Sequence, residues 1–174
     1  MNKFSTLLLL AGALALSACN NPDRYGAAGA GGAGSMGAGG ISAGALGDPS
    51  DPNSVAYFNQ TIGDTVRFAV DQSTLSGEAQ TVLTMQAGWL NQHPTNTAII
   101  EGHADEQGTR EYNIALGDRR ANAVKAFLIS QGVAGDRLQT VSYGKERPLA
   151  VCSDEACYAQ NRRAVTVVGA GAGV

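Results

Sequence analysis

The stretch GHADEQGTREYNIALGDRRANAV, Gly102 to Val124, holds four acids, three arginines and a histidine. Three chemistries suit such residues. His103, Asp105 and Glu106 carry metal-ligating atoms, but near-adjacent positions at one strand end point in different directions. The chain offers only one other histidine, His93. Asp105 and Glu106 could be read as a hydrolytic pair, yet neighbouring carboxylates do not flank a substrate, and no serine or cysteine nucleophile comes with a placed base. The third chemistry is capture of a zwitterion, by a carboxylate facing an ammonium and a guanidinium facing a carboxylate.

The elements around the stretch favour the third. TAIIEG, Thr97 to Gly102, reads as a strand with an apolar centre. GHADEQGT is then the loop at its C-terminal end, a common ligand position in α/β sheets. Glu111 to Gln131 reads as a long helix stopped by Gly132. Leu116, Gly117, Arg120, Ala121, Val124, Phe127, Leu128 and Gln131 share one face of it. Arg120 lies inside that apolar stripe, whereas Arg119 points about 100° away, toward solvent. A guanidinium on a core face must meet an anion or a polar cleft, because an unpaired buried charge is costly. Asn113 shares the face of Arg120, and Asp105 sits on the loop just before the helix. The two charges could hold a ligand's ammonium and carboxylate, or could pair with each other and only fix the loop. Periodicity leaves both open.

The rest of the head, residues 56–168, supplies a modest core. TVRFAV, Thr65 to Val70, alternates as a strand. SGEAQTVLTMQAGWLNQH reads as a helix with Ser76 as N-cap, ended by Pro94. LQTVSYG, Leu138 to Gly144, and RAVTVV, Arg163 to Val168, are strands. The order predicts an α+β two-layer sandwich, with helices packed on one face of a small mixed β-sheet. Cys152 and Cys157 are expected to pair in an oxidising compartment; a zinc site would want four ligands, and with Cys19 set apart in the N-terminal segment no further cysteine or nearby histidine is left.

Upstream, Lys3 and the ten-residue apolar run Leu7 to Leu16 fit a signal segment, too short for a span of ~20 residues. LSAC, Leu16 to Cys19, resembles a bacterial lipobox. The alternative is an ordinary signal site with an incidental cysteine. The lipobox implies removal of residues 1–18 and acylation of Cys19, and Asn20 fits outer-membrane sorting. Residues 19–54 are expected to be a flexible tether, since 17 of the 22 residues from Gly26 to Gly47 are glycine or alanine. Residues 169–174 read as a frayed tail. The net charge of −3 argues against nucleic acid, which needs a concentrated basic face.

From Val66 to Val168 the chain resembles the OmpA-like peptidoglycan-binding domain. The matching pieces are VRFAVDQSTL, IEGHADEQGTREYNIALGDRRANAVKAFL, VSYGKERP and NRRAV. The resemblance implies a non-catalytic clamp without cofactor. In it, Asp105 and Arg120 hold the side-chain end of diaminopimelate in the wall's stem peptide, and Asn113 serves the same cleft. It also implies roles for Phe68 and Asp71 of an F-x-x-D segment, for Leu75, Thr109 and Leu116 as lining, and for Arg163 as the arginine of the NRR motif. With the lipobox and tether, it implies a lipid-anchored protein of the outer membrane whose head lies in the periplasm. The implied partners are the Tol system, above all the propeller protein TolB, with a role in envelope integrity and cell division. The alternatives are an OmpA-like lipoprotein outside that system and, in another class, a wall enzyme.

Overall fold

A computed structural model describes residues 46–169. The expected signal segment, Cys19, the tether through residue 45 and the tail from residue 170 lie outside the described residues. A three-residue helix, α1 (Val55–Tyr57), runs into a π-helical turn, Phe58–Gly63. Then follow β1 (Thr65–Arg67), α2 (Gly77–Gln92), β2 (Thr97–His103), α3 (Arg110–Ser130), β3 (Leu138–Gly144), α4 (Glu155–Asn161) and β4 (Arg163–Gly169). The strands form one mixed sheet in the order β1-β4-β2-β3. β2 and β3 are parallel and joined by a crossover through α3, while β4 lies antiparallel to both β1 and β2. The fold is therefore the expected α+β sandwich.

Local chemistry sets the helix ends. Ser76 accepts from the Ala79 N–H at 3.2 Å, and Thr109 accepts from the Tyr112 N–H at 3.2 Å. Gly132, with φ of 94°, closes α3. The core joins Leu83, Ala87 and Leu90 of α2 and Ala121, Val124 and Leu128 of α3 to Ala98 and Ile100 of β2 and Ala164 and Val168 of β4. Burial of these apolar surfaces is the main favourable term. The other sheet face is more open, with Ile99 exposed.

Two boundaries differ from expectation. The strand expected over Thr65–Val70 stops at Arg67, because the next carbonyls turn away from the sheet. The Ala69 carbonyl accepts from the Gln72 N–H at 3.2 Å, closing a turn, and both the Ala69 and Gln72 carbonyls accept from the Arg120 side chain. The folded chain also begins earlier than residue 56. The Ala56 N–H donates to the Leu46 carbonyl at 2.9 Å, and the Trp89 indole N–H finds its acceptor on Pro52 at 2.7 Å. Residues 46–54 are thus a turn segment, largely exposed but hydrogen-bonded to the head.

Candidate functional site

Helix α3 approaches β2 and β3 closely at two glycines. A Cβ on Gly102 would overlap the Gly117 carbonyl, and a Cβ on Gly117 would overlap Ser142 Oγ. Ser142 Oγ also donates to the Ile114 carbonyl at 2.6 Å. This contact aims the start of α3 and the loop before it at the C-terminal end of β2. The loop of residues 104–109, the first turns of α3 and the loop after β1 then enclose a cleft of about 270 Å³. Its wall is formed by Val70, Asp71, Asp105, Gln107, Gly108, Tyr112, Asn113 and Leu116.

The wall is rich in acceptors. The Asp105 carboxylate is buried, takes the Gln107 N–H at 3.2 Å and an Arg162 N–H at 3.2 Å, and retains acceptor capacity. Asn113 is fully buried; its amide nitrogen donates to the Gln107 carbonyl at 2.9 Å, and its Oδ1 has no partner. Such an orphaned buried acceptor is uncommon and calls for an explanation. Asp71 adds a second carboxylate, which accepts from the Tyr112 hydroxyl. That bond raises the Tyr112 pKa and keeps the phenol a donor.

Arg120 lies beneath this wall, at 0% exposure. Its guanidinium donates to three backbone carbonyls: Gln72 at 2.8 Å, His103 at 2.7 Å and Ala69 at 3.2 Å. It sits 5.2 Å from the centroid of the Phe68 ring. Burial draws its pKa down to about 10, with the Asp105 charge opposing the shift, so it remains a cation at neutral pH. Among the described residues no carboxylate is in ion-pair contact with it. Asp105 pairs with Arg162, which also binds Glu155 and the Phe68 carbonyl. The alternative of an Asp105–Arg120 pair is therefore overturned: the buried guanidinium meets carbonyls.

Of the expected site residues, Asp71, Asp105, Asn113 and Leu116 meet on the wall, with Arg120 just behind it. Phe68 and Leu75 pack in or against the core, and Thr109 caps α3. Arg163 is a correction. Its side chain donates to the Asn161 and Arg147 carbonyls, away from the cleft, and the residue that reaches Asp105 is Arg162. Arg162 caps α4 and Arg163 opens β4, so the change of backbone conformation between them sends the two side chains to different partners. Tyr112 and Gln107 were also missed; only the folded loop brings them to the cleft. Cys152 and Cys157 form a disulfide with Cα atoms 5.9 Å apart.

The OmpA family profile matches residues 67–163, which include every residue of the cleft wall. The chain is 57% identical over 121 residues to a peptidoglycan-associated lipoprotein of Mesorhizobium japonicum, covering 69% of this chain and 72% of that protein. It is 43% identical over 166 residues to the peptidoglycan-associated lipoprotein of Haemophilus influenzae, covering 95% and 98%. The chain belongs to the OmpA family, among the peptidoglycan-associated lipoproteins. The crystal structure of a peptidoglycan-associated lipoprotein from Burkholderia pseudomallei superposes with a TM-score of 0.63 at 40% identity, over 71% of this chain and 98% of that one. The C-terminal domain of Helicobacter pylori MotB shares the fold at 20% identity and a TM-score of 0.57, over 61% of this chain and 84% of that one.

Proposed function

We propose that this protein ties the outer membrane to the cell wall without catalysis, by binding the diaminopimelate end of a peptidoglycan stem peptide. One observation carries the reading: a buried Arg120 cation with no carboxylate partner lies behind a cleft whose wall holds Asp105 and Asn113, the latter with its buried Oδ1 unpartnered. An ammonium satisfies the acceptors and a carboxylate on the same carbon satisfies the guanidinium. The names of the relatives support peptidoglycan as the source of that ligand. Cys19, acylated, would anchor the chain in the outer membrane with the head in the periplasm. TolB and the Tol system would be its protein partners, in envelope integrity and cell division.

Sedimentation of the mature protein with purified wall tests the clamp. Asp105→Asn should weaken binding by well over tenfold, since removing one partner of a desolvated charge contact costs ~2–5 kcal/mol. Its melt should shift little, because Arg162 keeps Glu155. Undiminished wall binding by that variant refutes the clamp. Co-purification with TolB tests the partner separately.

A further inference from the structure

Arg120 does not reach the cleft wall, because residues 69–72 lie over it. The Ala69 and Gln72 carbonyls accept from its Nη2 and Nε. Apart from those Arg120 bonds, one side-chain tie among the described residues holds the crest of this loop, from the Tyr112 hydroxyl to Asp71 Oδ1. Asp71 has φ of 55° and is the one non-glycine residue with positive φ among those described. The loop therefore stores backbone strain at the point where it is tied. Tyr112 is 43% exposed, so the tie sits at the solvent-facing rim of the cleft.

We propose that Tyr112, acting through Asp71, is a positioning residue that latches loop 69–72 over Arg120, and that a ligand carboxylate reaches the guanidinium only after the latch opens and the Ala69 and Gln72 carbonyls are displaced. The proposal rests on the zwitterion reading of the cleft. A ligand ammonium gives Asp71 a charged donor, which outcompetes a neutral phenol. Arrival of the ammonium thus weakens the latch. The released loop uncovers Arg120, whose carbonyl partners are then exchanged for a stronger, charged acceptor. The site selects for both ends of one ligand: an amine without a carboxylate opens the loop for no gain, and a carboxylate without an amine meets a closed wall of acceptors. While the latch is shut, the competent fraction of the protein is reduced, and apparent affinity falls with it.

The test is stopped-flow binding of a soluble muropeptide carrying diaminopimelate to the mature protein in detergent, beside hydrogen exchange of the amides of residues 69–72. Tyr112→Phe should keep the ring and lose the latch. Association should quicken roughly threefold to tenfold and exchange in the loop should rise, with little change in the melt. Asp71→Asn should also speed loop exchange while weakening binding, because it removes an acceptor for the ammonium. Slower association by Tyr112→Phe, or association and exchange equal to wild type, overturns the latch. Asp105→Asn separates the two ideas. If it weakens muropeptide binding while Tyr112→Phe behaves as wild type, the latch alone fails. If wild type does not bind the muropeptide, or Asp105→Asn binds as well as wild type, the zwitterion reading fails and the latch with it.

Discussion

Two neighbouring arginines separate position from residue type. Arg120 is buried and pins three carbonyls, two in the loop after β1 and one at the end of β2, so Arg120→Ala removes a donor from each. Thermal melts and wall sedimentation should show stability and binding lost together. Arg119 is exposed and lies 5.9 Å from the Tyr112 ring centroid. Arg119→Ala should change either quantity by no more than ~1 kcal/mol, as surface charge contacts do. A loss as large as that of Arg120→Ala would refute the assignment of faces. His103 offers a pH test. Its carbonyl holds Arg120, while its ring packs against Tyr143 with neither nitrogen hydrogen-bonded and Nε2 3.6 Å from Glu101 Oε2. Burial first, then the charges of Arg163 and Arg147, push its pKa from 6.5 to about 4. The unfolded chain therefore takes up this proton before the folded one. The stability involved is present above 6.5 and is lost as pH falls toward 4. Melts of wild type and His103→Asn should diverge less as pH drops through that window; a constant difference would refute a neutral, buried His103.

The contact between α3 and the sheet depends on two absent side chains. Gly117→Ala places a Cβ against Ser142 Oγ and the Gly102 carbonyl. Overpacking of this kind costs ~1–3 kcal/mol, and denaturant unfolding should show a lower midpoint. Gly88, in α2, is an internal control: it is exposed and a Cβ there would meet nothing within 4 Å. Gly88→Ala should raise stability by ~0.5–1 kcal/mol, the helical penalty of glycine against alanine. Equal effects at the two positions would show that chain entropy, not the close approach, governs Gly117. Gln86 works at the same scale. Fully buried, it donates to the Gly63 carbonyl at 2.7 Å and accepts from Thr166 Oγ1 at 2.9 Å, joining α2 to the π-helical turn and to β4.

For the whole molecule, the anchor and the cross-link should be separable from the clamp. Cys19→Ser should release the protein from membranes in fractionation, while the head keeps its melt and its wall binding. Retention in the membrane fraction would refute lipidation. The Cys152–Cys157 bridge spans five positions and closes the start of α4, whose Glu155 holds Arg162 and, through it, Asp105. The chain-entropy model allows such a short loop only ~2 kcal/mol. The double serine variant should melt lower and bind the wall slightly less. Thiol titration of the denatured, unreduced protein should find neither of these two cysteines free.

Much of this was legible in one dimension, because it follows from local rules. Ser76 and Thr109 precede helices and Gly132 follows one, and their caps need only neighbouring backbone. The 3.6-residue period put Arg120 inside and Arg119 outside. The alternation of Thr65 to Val70 misled past Arg67, because a guanidinium 48 positions from Gln72 claimed the loop's carbonyls. The partners of Arg120 and Asp105 were likewise undetermined: a buried charge must be satisfied, but periodicity does not say whether by carboxylate, carbonyl or ligand. Arg162 reached Asp105 across 57 positions and left Arg120 to the backbone. The sequence by itself determined the fold class, the faces and the residue types at the site. Only the tertiary structure decided which groups pair and which are left without a partner, because hydrogen-bond geometry depends on where distant segments meet.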